Sequence, residues 1–202
     1  MTFRTLRPPA APALGLLLGL SLAAVATLAT LAPAAHAELA LFGSYWNNVA
    51  RAADANDALK VRQLIESGTS PNDVDDNGRT GLHIVAINGN LQIAAILIKA
   101  KANLNARDRL GNTPLHLAAE RNNAELAKLL LDVGAAVDPE NRNGMTPLMV
   151  AASRGNISVV EALLAKGANA RKTDFTGRDA LSWAADSHRP AVLQALRRAA
   201  AR

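Results

Sequence analysis

Two hydrophobic patterns divide the chain. Leu14 to Leu31 is uncharged and rich in Leu and Ala, whereas beyond about residue 44 the apolar residues recur at helical spacing. Leu126, Leu129 and Leu130 form one such stripe; Ile93, Ile96 and Leu97 stand in the same relation one step earlier, and Val159, Ala162 and Leu163 one step later. Each stripe predicts an amphipathic helix with one buried face. Gly68, Gly134 and Gly167 follow these helices at the place where a left-handed residue ends a helix, and Lys101 occupies the equivalent position. A non-glycine residue held left-handed costs about 1–2 kcal/mol, so the Lys101 junction is expected to be a weak point.

The polar positions repeat as well. Gly78, Gly111, Gly144 and Gly177 stand 33 residues apart, and the same step carries Leu82 to Leu115, Leu148 and Leu181, and Ala53 to Ala86, Ala119, Ala152 and Ala185. A fixed period of this length predicts a stack of identical supersecondary units. The register gives five units, near residues 44–76, 77–109, 110–142, 143–175 and 176–202. Thr113 is positioned as an N-cap whose hydroxyl accepts an unpaired backbone N–H, and Pro114 sits at the first helical position, where no N–H is needed. Ala118 and Ala119 are small enough for neighbouring helices to approach closely, and Leu115 and Leu117 fill the remaining space. The first unit lacks the Thr-Pro start and has Asn47-Asn48, with Tyr45 and Trp46 placed to cover the end. The last has Asp179-Ala180-Leu181-Ser182 and closes on Arg197, Arg198 and Arg202. Both ends are expected to be polar caps.

Thr113-Pro114-Leu115-His116-Leu117-Ala118 and Thr146-Pro147-Leu148-Met149-Val150-Ala151 resemble the T-P-L-H-x-A signature of the ankyrin-repeat family. The resemblance covers residues 44 to 202. It implies an all-α solenoid of about five helix-turn-helix units with short turn or β-hairpin tips, and a protein-binding role without catalysis. It also implies that His83 and His116, at the same place in successive units, tie turns together by hydrogen bonds.

The first 37 residues read as a secretory signal: Arg4 and Arg7, an apolar core, and Ala35-His36-Ala37 as small residues at a cleavage site after Ala37. The expected location is the periplasm, with the repeat domain at 38–202. The alternative is an uncleaved inner-membrane anchor facing the same compartment, since Pro8 to Ala37 is uncharged and long enough to span a bilayer.

Composition narrows the chemistry. With no Cys, disulfides and thiolate nucleophiles are excluded. The net charge of +5 arises from 22 basic and 17 acidic residues interspersed along the chain, without the basic stripe and stacking aromatics of a nucleic-acid binder, so none is expected as partner. Two rings on stacked helices lie ~10 Å apart, too far to share a zinc ion at about 2.0–2.1 Å. The acidic cluster Asp73, Asp75 and Asp76 lacks the closing acid of a calcium loop, Ile84 standing there, and Asp is an ordinary turn residue. No catalytic motif and no cofactor site is expected. Trp183 aligns with Leu117 and Val150 and is expected in the core of the last unit.

A monomeric, non-enzymatic module binding another protein is therefore expected, with an inhibitor or immunity protein against a toxic enzyme, or a structural envelope protein, as alternatives. The concave face carries the expected binding residues. At the tips beside the periodic glycines these are Arg79, Arg109, Leu110, Asn112 and Arg142, with Asn143, Met145, Phe175 and Arg178 further along. At the ends of first helices they are Glu120, Arg121 and Arg154. Arg, Met and aromatic residues are enriched at interfaces, which predicts a mixed apolar and basic groove for a partner with an acidic patch.

Overall fold

The computed structural model describes residues 48–200 and builds them from ten helices, with no strand among the described residues. The signal segment, the cleavage site, Tyr45, Trp46 and Arg202 lie outside the described residues. In the first unit α1 is Val49–Asp54 and α2 Ala58–Glu66; in the second α3 is Gly81–Asn88 and α4 Leu91–Lys99. The third holds α5, Pro114–Arg121, and α6, Ala124–Asp132; the fourth α7, Pro147–Arg154, and α8, Ile157–Ala165. The last holds α9, Ala180–Asp186, and α10, Pro190–Ala200.

Helix starts follow the capping chemistry. Asn48 accepts from the N–H groups of Ala50 and Arg51, Asp57 from Lys60, Asn90 from Ile93, and Asp179 from Ser182, each pairing a donor the helix leaves open. Thr80 and Thr113 close capping boxes with His83 and His116, and Pro114 and Pro147 occupy first-turn positions. The second helices end as expected: Gly68, Gly134 and Gly167 have φ of 91°, 96° and 82°, and Lys101 is held at 59°.

First helices pack in one row, α1 on α3, α3 on α5, α5 on α7 and α7 on α9; α2 packs on α4, α6 on α8 and α8 on α10 in the other. Ala53, Ala86, Ala119 and Ala152 are fully buried where the first helices meet. Leu97, Leu130 and Leu163 are fully buried beneath the second helices, each contributing about 1.5–3 kcal/mol by leaving water. Val74 and Thr80, and Thr173 and Asp179, make isolated antiparallel bridges at the tips.

The two ends differ, and the expectation of two polar caps needs correcting. In the first unit Arg51, Lys60 and Gln63 replace the apolar Ile84, Ile93 and Ile96 of the second. In the last unit Arg197 and Arg198 are exposed, but Leu181 and Leu193 are only half-buried and Ala185 is exposed. Their counterparts Leu148, Val160 and Ala152 are fully buried. The last unit keeps stacking residues, and none of the described residues forms a unit that covers them.

Candidate interaction surface

Each tip is organised by one side-chain oxygen. Oδ1 of Asp75 accepts from the N–H groups of Asn77 and Arg79 at 2.8 Å. Oδ1 of Asp108 does so from Leu110 and Asn112, that of Asn141 from Asn143 and Met145, and that of Asp174 from Thr176 and Arg178. These are Asx turns, which hold the tip without a strand ladder. Burial works against ionisation of Asp75 and Asp174. Their hydrogen bonds outweigh it and hold both carboxyls below the usual range, with Arg79 aiding Asp75 and Trp183 aiding Asp174.

Backbone bonds join successive tips into a row. The N–H of Arg109 donates to Asn77 O (3.2 Å), that of Arg142 to Leu110 O (3.1 Å) and that of Phe175 to Asn143 O (3.2 Å). A Cβ on Gly144 would stand 2.7 Å from Cδ1 of Phe175 and 2.8 Å from its backbone nitrogen, so this glycine is required for close approach as well as for its φ of 75°.

The histidines lie below the tips. Nδ1 of His83 accepts the Thr80 N–H (3.1 Å), which places the ring proton on Nε2, and Nε2–H donates to Asn112 O in the next unit (2.9 Å). His116 repeats this with Thr113 (3.1 Å) and Met145 O (2.9 Å). The hydrogen-bonding expected of these rings is found. Burial disfavours the charged ring, pushing His83 below its ordinary value and His116 down to about 4.

A cleft of about 410 Å³ lies between α5, α7 and α9, walled by Leu117, Met145, Val150 and Trp183 and rimmed by Asn112, Glu120 and Arg154. Glu120 and Arg154 pair with each other at 2.5 Å across units. The indole Nε1–H of Trp183 donates to Asp174 Oδ2 (2.9 Å), and the Arg178 guanidinium lies 3.8 Å from the ring centroid. Arg178 also pairs with Asp186.

Of the expected binding residues, Asn112, Glu120, Met145 and Arg154 line the cleft. Arg109, Arg142, Asn143 and Phe175 form the tip row with Leu110, while Arg121 is exposed at the end of α5. Phe175 and Leu110 are 74% and 67% exposed, so neither folds away. Met145 is half-buried against the core rather than presented at a tip, and Arg79 is paired with Asp75 at 2.7 Å. Trp183 packs against the core as expected and, like Leu117 and Val150, also walls the cleft. Its indole N–H finds the acceptor it needs in the buried Asp174 carboxylate.

A sequence profile described as ankyrin repeats (3 copies) matches residues 49–141 and 125–201. Over 55 residues the chain is 42% identical to the potassium channel AKT1 of Arabidopsis thaliana, a match spanning 27% of this chain and 6% of the channel. The chain thus covers only a small part of that relative.

Proposed function

This chain belongs to the ankyrin-repeat family, and we propose that it is an exported, non-enzymatic module that holds an acidic partner protein on its tip row and cleft. Ankyrin repeats generally mediate protein–protein interaction, and the finer reading rests on the surface. The observation that carries it is the continuous tip row from Leu110 through Arg142 and Asn143 to Phe175. Two largely exposed apolar side chains there flank a guanidinium that pairs with no described carboxylate. Exposed apolar groups beside cations suit a partner that brings apolar side chains and carboxylates together. The signal-like first 37 residues support export and a periplasmic site of action, with a monomeric mature chain.

Affinity capture with the mature chain from a cell-envelope extract, repeated with Arg142→Glu and Phe175→Ala, tests this reading. A stoichiometric partner should be retained by the wild-type chain. Arg142→Glu should weaken binding and flatten its salt dependence, and Phe175→Ala should weaken it by about 1–3 kcal/mol without loss of stability. Equal retention by all three chains would move the binding face elsewhere.

A further inference from the structure

Among the described residues nothing stacks on the face of the last unit that every earlier unit buries. Leu181, Ala185 and Leu193 repeat Leu148, Ala152 and Val160 at the 33-residue step. The earlier three are fully buried with a following unit stacked beside them, and the later three are half-buried or exposed. Along α10 the face continues as a shallow groove formed by Pro190, Leu193 and the stem of Arg197, with Arg198 beside it.

Charge sets the kind of occupant. The three carboxylates of residues 166–200 are already engaged: Asp174 by its own tip and Trp183, Asp179 by the α9 N-terminus, and Asp186 by Arg178. Arg197 and Arg198 are exposed and pair with no described carboxylate. A second copy fits poorly in either orientation. The same face opposite itself would set Arg197 and Arg198 against their own kind, and the first unit offers Arg51, Lys60 and Gln63 where apolar stacking residues would be needed.

We propose that this end face of α9 and α10 is a second docking surface, separate from the cleft, for a protein segment that presents apolar side chains bordered by carboxylates. Apolar contact at Leu181, Ala185 and Leu193 excludes water, and the two arginines select the partner's sign.

The test places the photo-crosslinker p-benzoylphenylalanine at position 193 of the full chain and irradiates it in extract of the producing cells, alone and combined with Arg197→Glu and Arg198→Glu. A discrete protein adduct is expected, mapping to a peptide with apolar and acidic residues. It should fall at least ten-fold with the double charge reversal, fall likewise with Ala185→Arg, and persist with Arg142→Glu, which separates it from the tip-row site. Thermal melts of each variant exclude unfolding, since all the substituted arginines and Ala185 are exposed. No adduct, an adduct indifferent to charge reversal, an adduct of two copies of this chain, or crosslinking to lipid alone would each overturn the proposal.

Discussion

Between the third and fourth units, His116 donates to Met145 O and Asn156 reaches back to Ala119 O at 2.7 Å. Between the fourth and fifth, Met149 stands at the histidine position, fully buried, and Arg189 stands at the asparagine position with its side chain laid over Gly155. Across that junction the Trp183 Nε1–H donates to the Asp174 carboxylate (2.9 Å) and the exposed Arg171 guanidinium to Ala200 O (3.3 Å). It lacks the His and Asn side-chain bonds of the junction before it. The middle junction is thus fastened by the periodic His and Asn side-chain bonds, which the last junction replaces with a single bond to Asp174 and an exposed one to Ala200 O. In a stack whose units contact only their neighbours, the last unit should open first.

The largest expected break in this contrast is His116→Ala. It leaves the Thr113 N–H and Met145 O unpaired in a buried site and opens a cavity, costing about 3–4 kcal/mol by urea denaturation. A similar loss in Met149→Ala would remove the distinction between the junctions.

Acidification acts on the same bonds. The His116 ring titrates near its ordinary 6.5 when unfolded and at about 4 in the stack, so the unfolded chain binds protons more readily. Its stabilisation is present in full above pH 6.5 and is lost as the pH falls towards 4, by roughly 3 kcal/mol at most. His83 shifts in the same direction. Urea midpoints should fall across that window in the wild type and fall less in His116→Ala.

Met149→His sharpens the comparison from the other side. A ring there faces the Arg178 carbonyl as His116 faces that of Met145, and one new hydrogen bond should add about 1 kcal/mol and slow amide exchange in α9. Faster exchange in α9 would mean that the carbonyl is out of reach. The smallest effect is expected of Lys101→Gly, which relieves the left-handed strain at φ 59°. It should raise Tm by a few degrees, corresponding to about 1 kcal/mol.

Helix starts, left-handed stops and the buried alanine row were legible because they depend on residues within one unit or on one fixed step. The bonds between units were read less completely. Asp75, Asp108, Asn141 and Asp174 follow the 33-residue step, as do Asn90, Asn123 and Asn156, and Asn72, Asn105 and Asp138. Yet Asp and Asn in loops read as ordinary turn formers, and only the structure gives their cross-unit targets: Asn123 to Ala86 O, and the N–H groups of Asn103 and Ala136 to Asn72 and Asn105. The place of Trp183 against the core was legible from its alignment with Leu117 and Val150, but the Asp174 acceptor for its N–H was not. The open last face escaped notice because Arg197 and Arg198 have the composition of a cap, while the partial exposure of Leu181 and Leu193 among the described residues is not written in their sequence.

Hydrogen exchange of the chain alone and with its captured partner tests the assignment of the binding face most directly. Added protection should fall on the tips at 108–112, 141–145 and 174–178 and on the cleft sides of α5 and α7. Protection confined to α4, α6 and α8, with the tips unchanged, would contradict it.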